Sequence, residues 1–216
     1  MLKNLFLMVL SLKLLGESMT LIALKLLKDE ALRKMEDTSF LSVFEKDYVE
    51  CTRVLWSKGP AISIVPYELE LTGVAPSKMV YKEPLSKKNI FKHYYGDDGV
   101  GKIEVYNSGG EVHEFEYFVY FDGRACSLKK NRHGENVWIK IVEIEGGVVV
   151  RACRVDFDAE FWSFGYAWHE GVLQEIITLS SNSVPGVHVF PEYGEGRELK
   201  GMYFMRGDVK VYLYER

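Results

Sequence analysis

Apolar residues recur at helical spacing over residues 2–37 and at strand spacing from Phe40 onward. Leu2, Leu5, Phe6 and Val9 keep the helical period, with Asn4 and Ser11 on a narrow polar stripe. A helix apolar around most of its circumference must be buried against something. Gly16 reads as its C-terminal cap, and Ser18 or Thr20 as the N-cap of a second helix running to about Asp37. Leu24, Leu27, Ala31 and Met35 give that second helix an apolar face, with Lys25, Lys28, Asp29 and Arg33 elsewhere on the wheel. The expectation is an αα-hairpin packed on a sheet, since the second helix is too weakly basic for a DNA-reading helix-turn-helix.

Beyond Phe40 the period changes. Val49–Trp56, Ala61–Leu71, Met79–Lys82 and Ile90–Tyr95 are short runs rich in β-branched and aromatic residues. Gly59-Pro60, Gly73…Pro76 and Pro84 separate them as turns. Pro66, inside one run, predicts an edge strand or a bulge there.

From Tyr94 a repeat takes over. Gly99, Gly123, Gly147 and Gly171 stand 24 residues apart, and Gly196 follows 25 later. Eleven residues after each comes a second turn residue: Gly110, Gly134, Asp158, Asn182 and Gly207. Such regularity decides architecture before any other reading. Each unit holds two turns, hence two strands, and no turn leaves room for a crossover helix. Successive strands must therefore be antiparallel neighbours, a meander of about ten strands. The predicted fold is α+β: an N-terminal helical hairpin (1–39), irregular strands and turns (40–93) and the β-meander (94–216), in one continuous domain. The sheet is expected to be a twisted sheet, a sandwich or a barrel.

The long strands indicate what covers the sheet. Trp162, Phe164, Tyr166 and Trp168 share one face of their strand, and Trp138 occupies the repeat position equivalent to Trp162. Phe115, Tyr117, Val119 and Phe121 share the opposite parity. Either bulges shift the register, or different parts of the sheet are covered on opposite sides. Trp138, Trp162, Phe164, Tyr166 and Trp168 are the candidate ligand- or partner-binding residues. For Trp162, Phe164, Tyr166 and Trp168, core beneath the N-terminal helices is the favoured alternative.

The chain is 47% hydrophobic and 13% aromatic, which supports a real core and excludes a disordered chain. With net charge −4 and interspersed signs, it has no basic stripe for nucleic acid. Cys51, Cys126 and Cys153 are odd in number and lack CxxC spacing, which argues against a disulfide framework or a zinc site and fits a reducing cytoplasm. Leu5–Leu10 after Lys3 could be a signal segment. Lys13 and the poor cleavage site around Gly16-Glu17-Ser18 favour a cytoplasmic helix, and the run is short of the roughly 20 apolar residues of a membrane span.

Candidate chemistry is sparse. Phosphate-loop, Rossmann, HExxH and GxSxG motifs are missing. His113, with Glu111 and Glu114 nearby, could ligate a metal, but strand alternation puts His113 and Glu114 on opposite faces. His169-Glu170, His133-Gly134 and the Asp97-Asp98 and Asp156…Asp158 pairs read as turn residues, and His93 and His188 as strand residues. No catalytic residue, metal or cofactor is expected.

Tyr-Tyr-Gly-Asp-Asp-Gly (94–99) and Tyr-Phe-Asp-Gly-Arg (120–124), each followed by a second glycine turn, resemble the YD repeats of Rhs proteins. They are also similar to MORN-type hairpin repeats. The resemblance covers 94–216, although the spacing is long for a YD repeat and the internal glycines of MORN units are mostly missing. It implies a non-enzymatic scaffold of the kind met in bacterial polymorphic toxins and their neutralising partners. The expected function is a non-catalytic protein-binding β-repeat protein of immunity or accessory type. The competing expectation is an up-and-down barrel holding an apolar ligand, with Trp138, Trp162 and Trp168 facing its cavity.

Overall fold

The computed structural model describes residues 2–44, 51–182, 184 and 186–216, with side chains described from residue 16 onward. Helix α1 (Leu2–Glu36) leads into a short α2 (Thr38–Leu41), and α3 (Glu68–Leu71) follows strand β1 (Arg53–Ser57). The meander then runs β2 (Phe91–Gly96), β3 (Gly99–Tyr106), β4 (Val112–Phe121), β5 (Arg124–Asn131), β6 (Asn136–Glu145) and β7 (Val148–Asp156). It continues with β8 (Phe161–His169), β9 (Val172–Ser180), β10 (Val187–Tyr193), β11 (Leu199–Arg206) and β12 (Val209–Glu215). All twelve strands form one antiparallel sheet in sequence order, from β1 at one edge to β12 at the other.

The glycine ruler is the turn pattern. Asp97-Asp98, Asp122-Gly123, Gly146-Gly147 and Glu170-Gly171 make two-residue turns at one end of the sheet. Gly99, Gly123, Gly147 and Gly171 all have positive φ, which a side chain reaches only with strain. Longer turns at residues 107–111, 132–135 and 157–160 lie at the other end, where β9 also passes to β10. Asn107 and Asn131 cap two of these turns, each side-chain oxygen accepting two backbone N–H groups. The last unit exchanges the two turn types. A five-residue loop, 194–198, joins β10 to β11, and Gly207-Asp208 makes the tight turn into β12. That exchange accommodates the inserted residue.

The two expected explanations of the parity change are both realised. Register shifts mark most of the hairpins, as between Ala167 and Trp168. More importantly, both faces are covered. Helix α1 lies across β6–β9. Its Leu27 and Ala31 pack with Cys126, Leu128, Ile139, Ile141, Cys153 and Val155, bordered by Tyr117 and Val119. On the opposite face the segment 58–76 runs as a strap. Ile62 and Ile64 meet Val100, Ile103 and Phe118, while Val65, Tyr67 and Leu71 meet the core of Phe164, Tyr166, Leu173, Ile176 and Met202.

Four expectations need correction. The predicted helical hairpin is one continuous 35-residue helix that passes through Gly16. Gly16 keeps a negative φ, so it weakens the helix by about 1 kcal/mol without capping it. Residues 61–71 form no strand: Ile62, Ile64, Val65, Tyr67 and Leu71 pack onto the sheet face, and Glu68–Leu71 is the helix α3. Residues 79–82 contribute only one bridge, Trp56 to Val80. The sheet stays open, which removes the barrel and its apolar cavity. The packing expected of side chains 2–15, and the strand start at Val49, lie outside the described residues.

Among the described residues no helix is long and apolar enough to cross a membrane.

Candidate functional site

The strap brings the chain's most concentrated chemistry together beneath it. Lys140 on β6 is 4% exposed, and its Nζ lies 2.7 Å from Glu68 Oε2 of α3 and 3.4 Å from Glu116 Oε1 of β4. Ser63 Oγ donates to Glu68 at 2.5 Å, and Ser127 Oγ donates to Glu116 at 2.7 Å. Arg154, the cross-strand neighbour of Lys140, binds Asp156 through two bonds of 2.7 and 3.0 Å. Burial alone would raise the Glu68 pKa, but the Lys140 charge and the hydrogen bonds from Lys140 and Ser63 outweigh it and hold the carboxyl low. Burial would likewise lower Lys140, yet Glu116 and Glu68 hold it above the usual ammonium range. Each charge favours the ionised form of the other, and the pair ties α3 of the strap to β6.

A second arrangement resembles a nucleophilic pair. His93 Nε2 is 2.8 Å from Ser57 Oγ, with Glu116 close enough to act on the imidazole. The polarity is wrong for catalysis. Ser57 Oγ donates its proton to Gly59 O at 2.7 Å, so the histidine must donate to the serine. Ser57 is 3% exposed and His93 fully buried, and His93 Nδ1 finds no partner.

The sequence-predicted site residues all lie on the strap face. Trp138 sits with Lys129 Nζ 4.0 Å and Arg154 4.1 Å from its ring centroid, and Arg154 also covers Trp162 at 5.1 Å. Phe164 and Tyr166 are core residues, each 7% exposed, and the Tyr166 hydroxyl donates to Pro66 O at 3.0 Å. Trp168 packs on Tyr67 and donates to Val149 O at 2.7 Å. The four aromatics of β8 do share a face, but the strap covers them and α1 does not. Of the histidines, His113 meets the carbonyl of Val105, while His188 joins Glu17 of α1 to Glu175 of β9.

A different aromatic group remains accessible. On the helix face, past the line of α1, Phe190, Tyr203 and Tyr212 form a ladder across β10–β12, with ring centroids 5.8 and 5.6 Å apart. Lys210 Nζ lies 4.1 Å over the Tyr203 ring, and Tyr212 donates to Glu192 at 2.5 Å. On this face Tyr212 and Met205 are 39 and 45% exposed. Reading strand parity would have put Tyr203 and Tyr212 on one face. Nothing in the sequence indicated that α1 stops short of them.

A groove of about 540 Å³ is lined by Phe44, Asp97, Tyr117 and Tyr120. Among the described residues no group of three His, Cys, Asp or Glu side chains is placed to hold a metal ion.

No protein-family model matches the chain, and no curated protein is significantly similar to it.

Proposed function

We propose that the chain is a non-catalytic protein-binding β-repeat protein, of the immunity or accessory type that engages another protein. The observation that carries this reading is the accessible ladder Phe190–Tyr203–Tyr212 at the open β12 end of the sheet. Tyrosine supplies large rigid contact area with a polar tip, and it is enriched where interfaces concentrate their energy. The ionic cluster supports the same reading, because its groups are consumed by internal partners. A net charge of −4 suits a basic partner through complementarity.

Affinity capture from the native host with the wild-type chain and with Tyr203→Ala/Tyr212→Ala tests the reading. One protein retained stoichiometrically by the wild type and lost with the double variant supports it. Equal retention by both, or no retained protein, overturns it.

A further inference from the structure

We propose that two copies of the chain associate through a parallel, two-stranded coiled coil made by the outer stripe of α1. Where side chains are described, Met19, Ile22 and Leu26 are 66, 50 and 64% exposed, large apolar residues turned away from the sheet. Their spacings of three and four place them at a, d and a of a heptad. In the sequence the same spacing runs back unbroken through Leu15, Leu12, Met8 and Leu5, within one continuous helix. A strict seven-residue apolar repeat keeps a single seam against a neighbouring helix.

The sheet leaves this seam free. Glu17, Leu24 and Ala31 occupy the f positions, diametrically opposite the seam. Leu24 and Ala31 are fully buried against the sheet, and Glu17 bonds His188. Over residues 17–31 a second helix therefore approaches from the side away from the sheet.

The flanks select the occupant. The g positions are Asn4, Ser11, Ser18 and Lys25, and the e positions are Val9, Gly16, Ala23 and Glu30. Six of these eight are uncharged, so identical helices do not repel, and a Cβ built at Gly16 meets nothing within 4 Å. The one charged pair, Lys25 and Glu30, is five residues apart, the offset at which g of one strand faces e of the other in a parallel dimer. Symmetry makes that pair twice. Glu30 already accepts from Arg124 through Oε1, which leaves its second oxygen for Lys25 of the other copy. A lipid surface would call for a broad apolar face with basic flanks. Here Lys25 is the single basic residue among the flanking positions, and between Glu17 and Ala31 the opposite side of the helix is taken by the sheet.

The seam ends at Leu26, because the next two positions are Asp29 and Arg33, both exposed and charged.

Analytical ultracentrifugation of the full chain at micromolar concentration tests the proposal. The wild type is expected at twice its 24.8 kDa mass. Ile22→Asp is expected to raise the dimer dissociation constant about 100-fold or more while the far-ultraviolet spectrum of the sheet is retained, and Ile22→Leu to preserve the dimer. In a Cys51→Ser background, Met19→Cys is expected to cross-link two chains on oxidation, as in-register parallel helices require. A monomer at all concentrations, a dimer indifferent to Ile22→Asp, or no Met19→Cys cross-link overturns the proposal, as does a monomer that floats with phosphatidylserine vesicles. The aromatic ladder is untouched by these variants, so failure here is distinct from failure of the protein-binding reading.

Discussion

Lys140 and Glu68 stand 72 positions apart in the chain and meet at 2.7 Å beneath the strap, both shielded from solvent. Removing one member of such a pair leaves the other charge buried without compensation. Lys140→Met is expected to destabilise the fold by about 3–5 kcal/mol. Glu68→Gln, which keeps the shape and one acceptor, should be milder. Urea denaturation of both variants and of the double variant checks this, and a non-additive double variant identifies the pair as one unit.

His93 makes stability depend on pH. Burial, only partly opposed by nearby Glu116, lowers its pKa from 6.5 to about 4. Between these values the unfolded chain binds a proton that the folded chain does not. The contribution is therefore fully present above pH 6.5 and is lost as pH falls toward 4, by up to about 3 kcal/mol. His93→Gln is expected to flatten the slope in that window, measured as the urea midpoint at a series of pH values.

Two glycine substitutions should act with opposite signs. Gly147 has φ +82° in a tight turn, so Gly147→Ala is expected to destabilise by about 1–2 kcal/mol. Gly16 lies within α1 with open space around it, so Gly16→Ala should stabilise by about 1 kcal/mol. Thermal unfolding of the two variants provides the comparison.

Gly165 sets how closely α1 approaches the sheet. A Cβ there would stand 2.8 Å from Thr20 Cγ2, and Thr20 is held by its hydroxyl bond to Gly16 O. Gly165→Ala is expected to destabilise by about 1–3 kcal/mol. Thr20→Ser, which removes the clashing methyl group, should recover most of the loss in a denaturation assay.

The three cysteines should react unequally. Burial pushes the Cys126 and Cys153 thiols up to about 12, and both are inaccessible, whereas Cys51 is exposed. A thiol reagent is expected to label one site in the native protein and three after denaturation, as counted by mass spectrometry.

Gly99, Gly123, Gly147 and Gly171 were readable as hairpin turns because a tight turn requires positive φ locally, whatever packs on it. The aromatic face of β8 was readable for a similar reason, since alternation along a strand is local geometry. The identity of its cover was not. Ile62, Ile64, Tyr67 and Leu71 carry the same β-branched and aromatic signal as a strand, but they spend it on the sheet face instead of on a neighbour's backbone. Gly16 misled for the opposite reason: a glycine can end a helix, yet with negative φ it merely weakens one.

Within the meander from residue 94 on, strand number, strand order and turn position were determined by the sequence alone, because the chain's own backbone preferences dictate each of them within a few residues. Whether the sheet would close, which face α1 and the strap would each take, and which charges would meet were decided only in three dimensions. Those outcomes depend on contacts between residues many tens of positions apart, as between Glu68 and Lys140 or Thr20 and Gly165, and no local pattern records them.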